Sequence, residues 1–221
     1  MFSVDNLTIE QGGKRLWDAV SFSLKPGERL GISAPSGFGK TTLGRVLAQW
    51  QSAMSGQILM NNVPLAKKGY CPVQLVPQHP EQSFNPYRTT GESLHDAWWP
   101  DAHWLERMVV NPVWLKRRPD ELSGGELARI ALLRALDPRT RYLIADEVTA
   151  QLDAHIQAQI WQVLLEEATR RPLGLIVFSH NKSLLEKVCS RIWIPEREHE
   201  KPRYSRPELK PHLGLSMIKT G

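Results

Sequence analysis

Lys40 and Thr41 follow two closely spaced glycines in the run Ala34-Pro35-Ser36-Gly37-Phe38-Gly39-Lys40-Thr41-Thr42. The run is one residue away from G-x-x-x-x-G-K-[ST], the pattern of a phosphate-binding loop, with Ala34 where the first glycine belongs. Gly37 and Gly39 let backbone N–H groups converge on phosphate oxygens without a Cβ in the way. A helix beginning near Lys40 aims its positive end at the same anions. Lys40 then neutralises β- and γ-phosphates, and the Thr41 hydroxyl is placed to ligate Mg²⁺. A methyl at Ala34 is tolerated only while its backbone keeps a negative φ. The plain alternative is a glycine-rich turn.

Farther along, Tyr142-Leu143-Ile144-Ala145 runs directly into Asp146-Glu147. Two adjacent acids at the end of a buried strand are costly unless something cationic sits there. That cost is resolved if Asp146 orients Mg²⁺ and Glu147 faces a water that attacks the γ-phosphate. The alternative has Asp146 capping the next helix and Glu147 solvated; the phosphate loop earlier in the chain favours the first reading. A third stretch is Leu122-Ser123-Gly124-Gly125-Glu126. Ser123 and Glu126 form a capping box, yet two glycines at a helix start waste stability unless the backbone must closely approach something. Bare N–H groups beside a serine hydroxyl make a second anion site.

These residues need elements to hold them. Phe2 to Ile9, Val20 to Leu24 and Arg29 to Ser33 read as strands, with Lys25-Pro26-Gly27-Glu28 as a turn. Leu43, Val46, Leu47 and Trp50 have helical spacing directly after the phosphate loop, which gives the order strand, loop, helix. From about Leu75 to Leu136 prolines and clustered tryptophans predict a loop feeding a mainly helical insertion, with a helix from Ser123 onward. The sheet pattern resumes with Arg141 to Ala145, a helix beginning near Asp153, and the apolar strand Leu173 to Phe178. In that helix Ile156, Ile160, Val163 and Leu164 form one buried stripe. Alternating strands and helices predict an α/β chain with a mainly parallel, helix-covered sheet and antiparallel pairing at the start.

With 41% hydrophobic and 23% charged residues the chain sits near a soluble globular average, which excludes wholesale disorder and coiled coil. No apolar run approaches the ~18 residues needed to cross a bilayer, and the first residues do not read as a secretory signal. Two cysteines, Cys71 and Cys189, suit a reducing cytosol. The net charge of +5 is spread along the chain, so it argues for phosphorylated ligands or an anionic membrane surface, and no nucleic acid is expected. Most of the eight tryptophans are expected in packing.

Taken together and in this order, the motifs resemble those of the ATP-binding-cassette (ABC) ATPases, over roughly Phe2 to Ile194. Ala34 to Thr42 resembles the Walker A loop, so that Ser36, Gly37, Phe38, Gly39, Lys40, Thr41 and Thr42 would contact ATP. Gln78 is similar to the Q-loop glutamine, a metal ligand and catalytic partner. Leu122 to Glu126 resembles the ABC signature, with Ser123, Gly124 and Gly125 closing over the γ-phosphate held by a partner chain. Tyr142 to Glu147 resembles Walker B with the catalytic glutamate, Asp153 the D-loop aspartate, and His180 the switch histidine. Gln78-His79-Pro80-Glu81-Gln82-Ser83-Phe84-Asn85-Pro86 is similar to a run found in oligopeptide, dipeptide and nickel importers.

The resemblance implies a P-loop NTPase core with an N-terminal antiparallel β subdomain. It places an α-helical subdomain over about 85–136 inside one ABC ATPase domain, 1–194, and leaves 195–221 as a polar, proline-containing, weakly structured tail. It implies an ATP- and Mg²⁺-dependent hydrolase at the cytoplasmic face of the inner membrane. There it would bind permease subunits and a second ATPase chain, favouring a heterodimer over a homodimer, with a substrate-binding protein acting indirectly. The cargo would be peptide-, nickel- or metallophore-like. The alternatives are a nucleotide-gated module that hydrolyses weakly, or a soluble ABC ATPase acting on nucleic acid or ribosomes.

Four departures bear on affinity and turnover more than on fold. They are Ala34, Val148 in place of a proline, Glu126 in place of a glutamine, and Gln11 where an adenine-stacking aromatic is expected. Trp17 is the ring expected to substitute for the last.

Overall fold

The computed structural model describes residues 1–66 and 68–195, together with the backbone of Tyr204 and Ser205. Strands β1 (Phe2–Gln11) and β2 (Lys14–Leu24) form a hairpin. Gly12 and Gly13 turn it with φ of 59° and 74°, the left-handed pair that a two-residue hairpin turn requires. β1 pairs on its other edge with β4 (Ser55–Met60), and β5 (Val63–Pro64) completes an antiparallel sheet of order β2-β1-β4-β5.

The second sheet contains β3 (Arg29–Ile32), β6 (Val73–Val76), β7 (Tyr142–Asp146), β8 (Gly174–Phe178), β9 (Arg191–Trp193) and β10 (Tyr204–Ser205), in the order β10-β9-β3-β8-β7-β6. Its pairs are parallel except β10 with β9. Strand periodicity divides its side chains between two cores. Leu143, Ala145, Leu175 and Val177 pack with the helices α4 (Gly124–Ala135), α5 (Ala154–Arg170) and α6 (Lys182–Val188). Tyr142, Ile144, Ile176 and Phe178 pack on the other face with α1 (Lys40–Leu47) and the antiparallel sheet. The sheet is therefore covered on both faces, which parallel strands require.

Between β6 and β7 the insertion is helical, as expected from sequence, but in short pieces until α4. It holds two six-residue helices, α2 (Thr90–His95) and α3 (Ala102–Arg107), three 3₁₀ turns at Pro80–Ser83, Pro112–Lys116 and Pro119–Glu121, and then the twelve-residue α4, which starts at the Ser123 cap expected from sequence. Each turn opens on a proline, which fits a first helical position and no later one. Trp98, Trp104 and Trp114 pack against the core, whereas Trp99 is three-quarters exposed and stacks on His95 with centroids 3.6 Å apart.

Some local expectations shift. Trp50 lies beyond the end of α1 and is exposed, because Gln49 turns the chain with φ 62°. β4 and β6 were not legible: β4 is exposed over its first three residues and only part-buried over its last three, and β6 spans four residues. The tail expected over 195–221 falls largely outside the described residues; within it Tyr204 and Ser205 pair with β9.

Candidate functional site

Four neighbouring strands, β3, β8, β7 and β6, deliver their chemistry-bearing residues to the same carboxyl edge. This edge is where ligands bind in open α/β sheets. The glycine loop follows β3, His180 follows β8, Asp146 and Glu147 end β7, and Gln78 follows β6.

The loop is shaped by its glycines. Gly37 has φ 75° and Gly39, the N-cap of α1, has φ 98°, conformations a residue with a Cβ adopts only under strain. A Cβ on Gly39 would also press on Trp17 Nε1 at 3.0 Å. Ala34 is not among the residues of positive φ, so its methyl is accommodated. Phe38 is buried beneath the loop, its ring edge-on to Trp17 at 5.1 Å. Ser36 and Gly37 are exposed at the loop's rim. Lys40 is 6% exposed; its Nζ donates to the carbonyls of Ala34 at 2.6 Å and Pro35 at 3.1 Å. The cation is thus held on the closed loop.

The same Nζ lies 4.0 Å from Glu147 Oε1. That oxygen is 3.1 Å from His180 Nδ1, while Gln78 Nε2 donates to Glu147 Oε2 at 3.4 Å. Glu147 itself takes φ 50°, a left-handed backbone fixed in part by its N–H donating to the Phe178 carbonyl at 3.1 Å. Strain of this kind clusters where function requires it. Beside it Thr41 Oγ1 donates to Asp146 Oδ2 at 2.6 Å. Burial pushes the Asp146 carboxyl above its ordinary range and adjacent Glu147 adds to the rise, against the Thr41 hydrogen bond and the charges of Lys40 and Arg45.

A hydroxyl and a buried carboxylate in contact form an all-oxygen donor pair, suited to a hard cation. Among the described residues no group of three or more His, Cys, Asp or Glu side chains can hold a metal alone. Mg²⁺ suits such a sparse set, since it is commonly held by one or two protein oxygens together with phosphates and waters. The residues present fit Mg²⁺–nucleotide.

Other candidates stand apart from this cluster. Thr42 is buried and its hydroxyl donates to Gln11 Oε1 at 3.0 Å. Trp17 is only 4% exposed and donates to the Gly39 carbonyl at 2.9 Å. It is therefore the floor of the loop and does not offer the exposed stacking face expected of it. Ser123 caps α4 through the reciprocal box with Glu126, and Ser123 and Gly124 are exposed. Among the described residues Ser123 to Gly125 share no hydrogen bond or ion pair with the Lys40–Glu147 group; Gly124 and Gly125 lie instead against Gln151 and Leu152. Asp153 also stays outside the cluster, its Oδ1 accepting from the N–H groups of His155 and Ile156 at 3.1 and 3.0 Å as the cap of α5. One group was not anticipated: Thr149, Gln157 and Trp161 are joined by hydrogen bonds just behind Glu147. The i,i+4 spacing of Gln157 and Trp161 on one helix was its only sequence signal.

A family model described as ABC transporter matches residues 17–150. The oligopeptide transport ATP-binding protein AppF of Bacillus subtilis is 32% identical over 83% of this chain and 62% of its own length. The glutathione import ATP-binding protein GsiA of Escherichia coli K12 is 31% identical over 79% of this chain and 31% of its own. The chain thus spans less than two thirds of the length of these curated relatives. Among solved structures, the dimeric bacterial ABC transporter cassette MJ0796 superposes with a TM-score of 0.79 at 21% identity, over 94% of this chain and 99% of that one. A cassette from Clostridium perfringens, cbiO1, gives 0.72 at 20% identity over 93% and 88%. At these identities the likeness is one of fold: the α/β P-loop NTPase architecture.

Proposed function

The chain belongs to the ABC transporter family, and from that premise we propose that it is the ATP-binding, ATP-hydrolysing subunit of a membrane importer. One observation carries the reading. The Glu147 carboxylate, set between Lys40, His180 and Gln78, lies beside the Thr41–Asp146 pair at the end of a phosphate-type loop.

Each residue then has a task. The amides between Ser36 and Thr42 cradle phosphate oxygens, and Lys40 turns from the Ala34 and Pro35 carbonyls toward them. Mg²⁺, held by Thr41 and Asp146 with Gln78 near it, would offset phosphate charge. Glu147 accepts a proton from the attacking water, and His180 and Gln78 hold that carboxylate in place. Ser123 to Gly125, which among the described residues make no hydrogen bond or ion pair with this cluster, serve the nucleotide of a partner chain, with Asp153 at the same interface. Each chain then supplies half of two sites, and closing them excludes bulk water, which strengthens every phosphate contact. Loss of the γ-phosphate removes the bridge and opens the dimer.

Similarity to oligopeptide and glutathione import proteins, with the Gln78–Pro86 run, supports a peptide-like cargo; nickel or a metallophore is the less supported class. Among the described residues no helix is long and apolar enough to cross a membrane. Peripheral attachment at the cytoplasmic face, through permease subunits, fits that. A second ATPase chain as heterodimer partner and a capture protein complete the proposal, with 1–194 as the ATPase domain. One observation favours the second reading, weak hydrolysis: Gln11 and the buried Trp17 leave the base without the expected ring.

Affinity purification from gently solubilised native cells, followed by ATPase assay of the recovered complex, tests both. Multi-span permeases, a second cassette chain and steady turnover are expected. Recovery of only soluble or ribosomal partners overturns the importer reading, and a complex that binds ATP without turnover selects the weak-hydrolysis module.

A further inference from the structure

The loop 147–153 joins β7 to α5 and carries Glu147 at one end and Asp153 at the other. Its own backbone contributes two short turns, Ala150 N–H to the Glu147 carbonyl at 3.0 Å and Leu152 N–H to the Thr149 carbonyl at 3.2 Å. On the side facing α5 it is not fully packed: a cavity of about 230 Å³ opens there, lined by Glu147, Thr149, Gln157, Trp161 and His180 among others. Directed contacts must therefore fix what packing does not. Thr149 is 2% exposed and Trp161 5%. The Thr149 hydroxyl accepts from Gln157 Nε2 at 2.9 Å and from Trp161 Nε1 at 3.1 Å, and Gln157 Nε2 also reaches the Thr149 carbonyl at 3.2 Å. Two lone pairs of one hydroxyl are thus taken by two donors one helical turn apart on α5. A buried indole N–H seeks an acceptor, and Thr149 is the one it has.

We propose that Thr149, Gln157 and Trp161 are positioning residues for hydrolysis: through Thr149, α5 holds the loop that keeps Glu147 in its left-handed backbone and aims its carboxylate. The inference rests on the reading of Glu147 as the proton acceptor. Glu147 keeps φ 50° only while its surroundings over-determine it, and Thr149 is the loop residue tied to the helix closest to it in sequence. Loosening the tie should misplace the carboxylate and leave the phosphate loop, on another strand, as it was.

The test uses Thr149→Val, Thr149→Ser, Trp161→Phe and the Thr149→Val/Trp161→Phe double variant in the full chain with its recovered partners. Valine keeps the shape of threonine without the hydroxyl, serine keeps the hydroxyl, and phenylalanine keeps an aromatic ring without the donor. Thr149→Val and Trp161→Phe should each lower kcat by about tenfold, within the range that sub-ångström to ångström misplacement produces, with KM for ATP within about twofold. Thr149→Ser should stay near the parent. The double variant should be no slower than the slower single one, since both remove the same bond. Unchanged kcat in Thr149→Val, or losses that multiply in the double variant, overturns the proposal. Amide hydrogen exchange decides it independently of turnover: segment 147–153 should exchange faster in Thr149→Val and Trp161→Phe while α1 does not. Equal protection of that segment in parent and variants overturns it even if turnover falls. A parent complex without ATPase activity refutes the hydrolase reading, and the exchange data then still decide whether α5 holds the loop.

Discussion

At the scale of single residues, the proposed function assigns binding and chemistry to different side chains. Lys40 Nζ is held on the loop carbonyls and lies 4.0 Å from Glu147, so Lys40→Ala should weaken ATP binding by about 10- to 100-fold, the worth of a hydrogen bond to a charged group. Titration with a fluorescent ATP analogue checks it, and unchanged affinity would remove Lys40 from the phosphate site. Glu147→Gln should keep ATP affinity and lower hydrolysis by at least about a hundredfold, the scale of losing a general base; single-turnover assay reads the loss. Asp146 carries a different signature. Burial raises its carboxyl above the ordinary value of 3.8, so in the nucleotide-free protein its ionised form costs stability. That cost is full above the folded pKa, declines as pH falls below it and is gone once pH is below the ordinary value. Asp146→Asn should therefore raise the melting temperature at neutral pH, by about 2–4 °C for each 1 kcal/mol regained. The gain should shrink in acid, while Mg²⁺-dependent turnover is lost. A lower melting temperature at pH 7 would contradict this.

At the scale of elements, α5 reaches both ends of the molecule's working parts. Its N-terminal half ties the Glu147 loop, and its C-terminal half ties the insertion. Glu167, fully buried on α5, is 3.1 Å from Arg107 of α3, 2.8 Å from Arg170 and 3.0 Å from Arg171. Arg107 also reaches Glu166 at 2.8 Å, so α3 is clamped to α5 by two carboxylates. Removing one partner of a buried charge network strands the others. Glu167→Gln should destabilise the protein by on the order of 3 kcal/mol, the low end for such losses because Arg170 already opens to solvent. Urea unfolding measures it. A change below about 0.5 kcal/mol, the size of an ordinary surface substitution, would show that the network contributes little. The insertion is legible in sequence as a change of character at Pro77 and Pro80, but not its attachment. Arg107 and Glu167 lie 60 positions apart, and nothing local to either announces the pairing.

At the scale of the whole molecule, Ser123 and Gly124 are exposed and, among the described residues, share no hydrogen bond or ion pair with the Lys40–Glu147 cluster. Under the proposed function this helix start completes the nucleotide site of a partner chain. The Glu147→Gln variant, expected to retain ATP, should associate with the proposed second cassette chain when ATP and Mg²⁺ are added and separate when ATP is withdrawn, as followed by light scattering. Equal association of the chain with itself, without any partner, would favour a homodimer.

What the chain states by itself is whatever is encoded over a few consecutive residues. Gly37-Phe38-Gly39-Lys40-Thr41, Ser123 to Glu126 and Asp146-Glu147 each carry their own backbone freedom, cap or charge, so both motifs and their order were readable. Strands β7 and β8 were readable too, because strands buried on both faces are nearly continuous apolar runs. Tertiary structure decided the rest. It brought Gln78 and His180 to Glu147 by placing β6 and β8 on either side of β7. It turned Trp17 inward beneath Gly39 although its sequence position promised an exposed ring. It gave the Trp161 donor its acceptor on Thr149, twelve residues away. Each of these depends on which side chain occupies the space beside another element, and local periodicity says which face a residue takes without naming its partner there.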